Sequence, residues 1–290
     1  MMSMLCSTTT IVCPRWIRAL NAASSFEMSW KCSPVVGSSK MNMTPPCAES
    51  FVRNEASFTR WLSPPDSVVQ TVDEIMADSA RVIEKYHDKS FGAMHRVALA
   101  PCSPFSVSAD LLRESAVLAR EYGVRLHTHL CETKDEENFM LAREGVRPLE
   151  YMERLGWTGS DVWFAHGIHF NDEELRVLAK THTGVAHCPI SNMKLASGVA
   201  RVPEMLKFGV PVGLAVDGSA SNDGSSLMEE LRVAFLLHRL NSSKAAPSGY
   251  DVLKMATCGS AAILGRSDDI GSLEVGKCCD LFMIDSRRLE

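Results

Sequence analysis

The stretch VRLHTHL, at positions 124–130, is predicted to form a buried strand with a polar carboxyl end. Side chains alternate between the two faces of a strand, so His127 and His129 point to the same face. His129 lies nearer the carboxyl end, and Glu132 follows three residues later in the loop. Groups that bind metals or move protons are therefore expected where this strand ends.

The segments on either side repeat this pattern of a strand followed by a helix. Strands are predicted at residues 96–102, 124–130, 161–167, 183–190 and 210–218. Helices are predicted at residues 68–86, 108–124, 135–155, 171–181, 202–208 and 226–240. Pro64 and Pro65, with Asp66 or Ser67 as the cap, mark the start of the first helix. Each connection is long enough to join two parallel strands, which indicates an α/β protein.

The polar residues distinguish between two architectures that fit this order, a doubly wound sheet and a (β/α)₈ barrel. Four of them fall at the carboxyl ends of successive strands, namely His129, His166, His187 and Asp217. In a barrel those ends converge on one site. The glycine-rich turn and the phosphate loop of nucleotide-binding sheets do not occur in the sequence. We therefore expect a barrel of the TIM type.

Composition argues against several classes of function. The 290 residues include 30 Lys and Arg and 35 Asp and Glu, a formal net charge of −5, which offers no global basic field for nucleic acid. No apolar run approaches the roughly 18 residues that a membrane helix needs. The 10 cysteines are scattered apart from Cys278 and Cys279, with no C-x-x-C pair, so we expect reduced thiols and a cytoplasmic location.

Residues 1–62 differ in composition from the rest and are predicted to be an irregular leader. They are rich in serine and poor in acidic residues, and their one strand-like run is TTTIV at 8–12. A loosely ordered or aberrantly encoded segment is the preferred interpretation. Organellar targeting is the alternative, because residues 1–26 contain no acid and carry Arg15 and Arg18.

Three residues are expected to carry metal chemistry. The imidazole of His129 suits Zn²⁺ or a similar ion, and the nearby Glu132 carboxylate is suited to shuttling a proton. Asp217 closes the run LAVDG before a polar loop, so its carboxylate is suited to binding a metal ion and taking a proton from water. The other interpretation of Asp217 is a cap on the following helix.

Further histidines and cysteines lie near predicted strand ends. His166 is expected to be a metal ligand or a donor to the substrate, His187 is a candidate pocket residue, and His169 is assigned to a loop. Four histidines are treated as structural: His87, His95, His182 and His238. The cysteines near strand ends are Cys102, Cys131 and Cys188. No G-x-S-x-G elbow accompanies them, so they are interpreted as pocket walls rather than nucleophiles.

Four motifs, in this order, resemble the amidohydrolase superfamily: THLCET at 128–133, FAHGIHF at 164–170, HCPISNMKL at 187–195 and AVDGSASND at 215–223. They look like its branch of metal-dependent aminohydrolases and deaminases of purines, pterins and triazines, which includes 8-oxoguanine deaminases and hydroxydechloroatrazine ethylaminohydrolases. APCSPFSVS at 100–108 and the tail DDIGSLEVGKCCDLFMID at 268–285 agree with this resemblance. The match extends over about residues 63–290.

The resemblance implies a role for each matched residue. His129 and Asp217 would bind one divalent ion, Zn or Fe, and Asp217 would also act as a base. Glu132 would assist proton transfer to the ring nitrogen, and His166 would orient or polarise the substrate. The implied catalytic residues are therefore Glu132, His166 and Asp217, and the implied substrate contacts are His166, His187, Cys102 and Asn192. The implied reaction is hydrolytic removal of ammonia or an amine from a small heterocycle.

The resemblance also implies a division of the chain after the leader. An incomplete TIM-type (β/α)₈ metallo-dependent hydrolase barrel would occupy residues 63–265. A remnant of a small β domain would occupy residues 266–290. Barrels of this kind often pair, so a homodimer is considered, with the apolar helix at 227–240 serving either packing or an interface.

One motif of the superfamily is absent from the sequence. The family pattern has an H-x-H pair at the end of the first barrel strand, but the first histidine here is His87 and no H-x-H precedes His127. Catalytic zinc typically needs three protein ligands besides water. We therefore expect weak metal binding and little activity, and a catalytically impaired remnant is the alternative function. A cytidine-type deaminase is excluded, because neither H-x-E nor P-C-x-x-C occurs.

Overall fold

Six strands form one parallel sheet, in which each strand pairs with the next one along the chain. The structure is a computed structural model and describes residues 9–12, 70–283 and 287. The strands are β1 (Thr9–Val12), β2 (Arg96–Leu99), β3 (Arg125–Leu130), β4 (Val162–His166), β5 (Gly184–His187) and β6 (Val212–Leu214). A doubly wound sheet reverses its strand order at a switch point. This sheet does not reverse, and it forms part of a TIM-type barrel, which confirms the predicted fold class.

Helices follow the strands in the predicted alternation. They are α1 (Val72–Tyr86), α2 (Ala109–Tyr122), α3 (Lys134–Glu144), α4 (Pro148–Arg154), α5 (Asp172–Thr181), α6 (Pro189–Lys194), α7 (Val202–Phe208), α8 (Leu227–Ser242), α9 (Gly249–Lys254) and α10 (Ser260–Ile263). A short 3₁₀ turn, Ser243–Ala245, follows α8, and a π-helical turn, Met255–Gly259, joins α9 to α10.

Several element boundaries differ from the prediction, and the strand predicted at 96–102, for example, ends at Leu99. The strand predicted at 183–190 ends at His187, because Pro189 lacks the N–H of a ladder and opens α6 instead. The strand predicted at 210–218 ends at Leu214, and Asp217 lies beyond it with a φ of 60° that no strand accommodates. Helix α1 begins at Val72 rather than at position 68.

Side-chain caps define where several helices begin. Thr71 and Glu74 form a reciprocal capping box at α1, whereas the predicted caps Asp66 and Ser67 lie outside the described residues. Ser108 caps α2 as predicted, by accepting the backbone N–H of Leu111. Short polar side chains thus supply acceptors for the first-turn N–H groups that a helix leaves without partners.

The sheet separates two buried layers. Alternate strand residues such as Leu126 and Phe164 pack against the helices in one large apolar cluster. Residues of the opposite phase, including Ala98, Trp163 and Ala186, form a second cluster with Ile263 of α10. His127 stacks on Trp163 with ring centroids 4.9 Å apart, so the inward face carries histidines as well as apolar groups. This face leads to the carboxyl ends of the strands.

Residues 266–283 consist of turns, bends and irregular segments, and no strand is found within the described part of this tail. The predicted boundaries at 62 and 265 therefore remain predictions. Across the parts of the chain that the structure describes, no helix combines the length and apolar character needed to cross a bilayer.

Candidate metal centre

Three buried side chains from separate segments meet at the carboxyl ends of the strands. His129 is the next-to-last residue of β3, His166 ends β4, and Asp217 follows β6. Each offers a ligand atom, and these atoms all lie within 4.8 Å of one another. The register of the sheet places His129 opposite Ala165, one residue before His166, so the two histidines extend from neighbouring strands at the same level.

The backbone around this cluster adopts a conformation that non-glycine residues rarely populate. His166 has a φ of 69°, Asp217 a φ of 60°, and Cys131, two residues after His129, a φ of 54°. The left-handed region costs roughly 1–2 kcal/mol for each such residue. Positive φ values at His166 and Asp217 turn both side chains away from the directions that strand alternation alone would give them.

The Nδ1 atom of His129 is held by the loop that follows β2. Its Nδ1 donates to the backbone oxygen of Cys102 at 2.5 Å. Its Nε2 has no hydrogen-bond partner among the described residues. Burial lowers the pKa of His129, but the interactions with Cys102, assisted by the Glu132 charge, outweigh burial and raise the pKa to about 9. A cation could therefore replace a proton at Nε2.

His166 is oriented in a similar way. Its Nδ1 donates to Oδ1 of Asn192 at 2.8 Å, which leaves Nε2 as the nitrogen with a lone pair. This Nε2 lies 3.7 Å from Oε2 of Glu132. The rings of His129 and His166 are stacked, with centroids 5.5 Å apart. Both imidazoles thus use Nδ1 for orientation and keep Nε2 for the centre of the cluster.

Asp217 is held by hydroxyl groups on both sides. Its Oδ2 accepts from Oγ of Ser221 at 2.7 Å and from Oγ of Ser191. Burial by itself would raise the pKa of Asp217, but the nearby His166 and the two hydroxyl donors lower it below its ordinary value. The carboxylate is therefore maintained in its charged form inside the barrel.

This donor set fits a divalent ion such as Zn²⁺. Two imidazoles and one carboxylate are a typical catalytic zinc set, which leaves a further position open. In each histidine the other ring nitrogen donates to an oxygen acceptor, as metal-binding histidines commonly do. The sequence predicted His129 and Asp217 as ligands and left His166 open as a ligand or a substrate donor. The structure brings all three together.

The other predicted site residues occupy different positions around this cluster. Glu132 is half-buried beside His166, and its Oε1 accepts from Ser197 at 3.4 Å. Cys102 contacts His129 through its backbone oxygen, and Asn192 contacts His166. His187 shares a strand face with the apolar residue Val185, and its Nε2 lies 3.2 Å from that of the buried His238.

Two buried glutamates that the sequence analysis missed support the loops of the site. The carboxylate of Glu136 accepts the backbone N–H groups of Cys131 and Glu132, each at 2.9 Å, and burial raises its pKa to about 7. Glu230 accepts from Asn222 and from the backbone of Ile190. Both glutamates lie in the first turn of a helix, where acidic residues are common, so no sequence pattern distinguished them.

Comparison with known proteins agrees with this geometry. The model of the Amidohydrolase family matches residues 33–289. The 8-oxoguanine deaminase of Pseudomonas aeruginosa is 50% identical over 227 residues, which are 78% of this chain and 50% of that protein. The hydroxydechloroatrazine ethylaminohydrolase of Pseudomonas sp. strain ADP is 44% identical over 229 residues, 78% of this chain and 47% of that protein.

Solved structures show the same relationship. The zinc complex of an atrazine chlorohydrolase from Arthrobacter aurescens has a TM-score of 0.71 and 34% identity, covering 74% of this chain and 48% of that one. An adenosine deaminase from Xanthomonas campestris with bound zinc has a TM-score of 0.71 and 31% identity, covering 75% and 49%. The chain spans about half the length of the curated relatives it matches. Over the matched half, sequence, fold and site agree, and the chain belongs to the amidohydrolase family.

Proposed function

We propose that this chain functions in the metal-dependent hydrolysis of C–N bonds, removing ammonia or an amine from a purine-, pterin- or triazine-like ring. The observation that carries the proposal is the convergence of His129, His166 and Asp217 within 4.8 Å at the carboxyl ends of barrel strands. The relatives named for 8-oxoguanine, triazine-derived and isoxanthopterin substrates support this class of heterocycle. 8-Oxoguanine is therefore the first substrate to test.

One divalent ion, Zn²⁺ or Fe²⁺, would be held by His129, His166 and Asp217. When bound, such an ion lowers the pKa of water toward about 7 and so supplies a nucleophile at neutral pH. The zinc-containing structural relatives favour zinc. Cys102 and Asn192 would orient the two imidazoles through their oxygen atoms, a role that the hydrogen bonds to Nδ1 support.

The remaining steps fall to the side chains around the ion. The Asp217 carboxylate, kept ionised by its surroundings, accepts a proton from the attacking water. Oε2 of Glu132 lies 3.7 Å from His166 Nε2, beside the cluster, where Glu132 would pass one proton of the water to the ring nitrogen. Asp217 would return the proton that it accepts to the departing amine as the C–N bond breaks. His166 orients the substrate as it reaches the centre. His187 is retained as a candidate substrate contact, although its observed contact is with His238.

Ammonia release from 8-oxoguanine by the purified full chain, supplied with zinc, tests this function. Asp217→Asn removes the base, so we expect activity to fall by at least about 100-fold. Asp223→Asn is the matched control on the same loop, because Asp223 is exposed and pairs with Lys194. Its activity should stay within about twofold of the parent's. Equal activity of parent and Asp217→Asn would contradict the proposed role.

A catalytically impaired remnant is the second candidate, favoured by the absence of an H-x-H motif before His127. In this case the chain binds the heterocycle without releasing ammonia, and its zinc affinity is weak. Elemental analysis of the purified protein distinguishes the candidates. About one zinc per chain would contradict the remnant, whereas substoichiometric zinc together with binding but no turnover would contradict the enzyme.

A cytoplasmic location and a small-molecule partner, without nucleic acid or membrane, are proposed on the same basis. Four of the six described cysteines are thiols, which suits a reducing compartment: Cys131, Cys258, Cys278 and Cys279. Association into a homodimer is included in the proposal and is checked by sedimentation of the full chain.

A further inference from the structure

Glu230 is a fully buried carboxylate near the start of α8, with a relative exposure of 0%. Its two oxygens face donors from two separate segments, the first turn of α6 and the loop that follows Asp217. Oε2 accepts the backbone N–H of Ile190 at 3.2 Å, and Oε1 accepts from Nδ2 of Asn222. A buried carboxylate is costly unless donors surround it. These two contacts therefore link α8 to the start of α6 and to the loop that carries Asn222.

The contact with Asn222 reaches the backbone on both sides of Asp217. Nδ2 of Asn222 also donates to the backbone oxygen of Val216 at 2.7 Å. The backbone N–H of Asn222 donates to the backbone oxygen of Gly218 at 2.8 Å. Asp217 lies between these two carbonyl groups with a φ of 60°. A strained residue keeps such a conformation only when its neighbours hold it. Asn222, fastened by Glu230, is one of those neighbours.

The contact with Ile190 reaches the other side of the cluster. Ile190 lies in the first turn of α6, where N–H groups have no partner within their own helix. Glu230 supplies that partner from α8. The next two residues of α6 contact the cluster directly, since Ser191 donates to Oδ2 of Asp217 and Asn192 accepts from Nδ1 of His166. One carboxylate therefore connects the supports of two of the three candidate ligands.

We propose that Glu230 is a positioning residue of the metal centre, which sets the spacing of Asp217 and His166 by holding Asn222 and the start of α6. The inference rests on the proposed metal site. A second contact from the same helix strengthens it, because His238 of α8 binds His187 at the end of β5, the residue that precedes the α6 segment by two positions. Helix α8 thus contacts the end of β5, the start of α6 and the loop that follows Asp217.

Titration of the full chain with Co²⁺, followed by visible absorption, tests the role without relying on catalysis. Glu230→Gln keeps the shape of the side chain but replaces one acceptor oxygen with an amide group that faces a donor. We expect about 10-fold weaker Co²⁺ binding and an altered absorption spectrum, since residues that support metal ligands typically contribute this much. Glu229→Gln, on the adjacent exposed position, should bind Co²⁺ within about twofold of the parent.

A second variant guards against a folding defect. Asn222→Ala removes the link to Val216 and should weaken Co²⁺ binding in the same direction, while the double variant should lose less than the product of the two single losses. Urea unfolding of the metal-free proteins is measured in parallel. Unchanged Co²⁺ affinity in Glu230→Gln would overturn the positioning role but not the metal site. Losses of Co²⁺ affinity that are proportional to the losses in the free energy of unfolding would do the same. Failure of the parent chain to bind Co²⁺ would contradict the metal site and this inference with it.

Discussion

At the scale of single residues, burial decides which histidines can carry charge. His187 and His238 are both fully buried, and their Nε2 atoms lie 3.2 Å apart, so one ring donates to the lone pair of the other. Burial lowers the pKa of His238 to about 4. Burial and the neighbouring His238 lower the pKa of His187 well below its ordinary value. Both rings are therefore neutral at pH 7.

This pair predicts a specific dependence of stability on pH. Between about pH 4 and 6.5 the unfolded chain binds a proton at position 238 that the folded chain does not, so the contribution of His238 to the free energy of unfolding decreases as the pH falls through this range. His238→Gln removes the proton and should reduce that slope by up to about 1.4 kcal/mol per pH unit.

Urea unfolding between pH 4.5 and 7 measures both slopes. Leu236→Gln, at an exposed position on the same helix, is the matched control and should keep the parent slope. Parallel curves for the parent and His238→Gln would contradict the burial argument.

At the scale of secondary-structure elements, two glycines let α10 approach the sheet. A methyl group on Gly184 of β5 would lie 2.5 Å from Cγ2 of Ile263, and one on Gly213 of β6 would lie 2.7 Å from its Cδ1. Ser260 of the same helix accepts the backbone N–H of Leu214 and donates to its oxygen, each at 3.1 Å. Small strand residues therefore permit a helix to pack where a larger side chain would separate the layers.

The close approach predicts a coupled pair of substitutions. Gly213→Ala should lower the free energy of unfolding by about 1–3 kcal/mol through overpacking. Ile263→Val removes the methyl group that meets the new side chain and by itself should cost about 0.5–1.5 kcal/mol. The double variant should therefore lose less stability than the sum of the single variants.

Thermal or urea unfolding of the four proteins completes this cycle. Gly249→Ala serves as the control, because an added methyl group there meets no atom within 4 Å. Additive losses would show that Ile263 does not contact position 213 in solution.

At the scale of the whole molecule, the centre joins segments that are distant in the sequence. His129, His166 and Asp217 come together only when β3, β4 and the loop after β6 are in place. An ion that binds this arrangement, and does not bind the unfolded chain, stabilises the entire fold by mass action. The metal site and global stability are therefore thermodynamically linked.

Zinc should accordingly raise the free energy of unfolding. At a free concentration 100 times the Kd, one site contributes about 2.7 kcal/mol. Urea unfolding at increasing zinc concentrations measures the gain, and Asp217→Asn should abolish most of it, whereas Asp223→Asn should retain it. A gain of equal size in Asp217→Asn would place the bound zinc elsewhere on the chain. Because weak zinc binding is predicted, the increase in the free energy of unfolding should be measurable only at high zinc concentrations.

Local patterns were sufficient for the order of the strands and for His129. The alternation of side chains along VRLHTHL predicted that His129 faces inward. The repeated alternation of strands and helices predicted the order of the strands. Both patterns depend on residues that are close together in the chain. The ends of β5 and β6 were predicted less well. A run of apolar residues does not mark where a chain turns into the left-handed region, as it does at Asp217.

By itself, the sequence determined the parallel α/β architecture, the family, and two of the three groups that meet at the strand ends. Only the tertiary structure decided that His166 joins His129 and Asp217, that Cys102 and Asn192 hold the imidazoles by Nδ1, and that Glu230 supports the loops from α8. The physical reason is the range of the interactions. Alternation and capping act over a few residues, whereas these contacts depend on positive φ values and on hydrogen bonds between segments that only folding brings together.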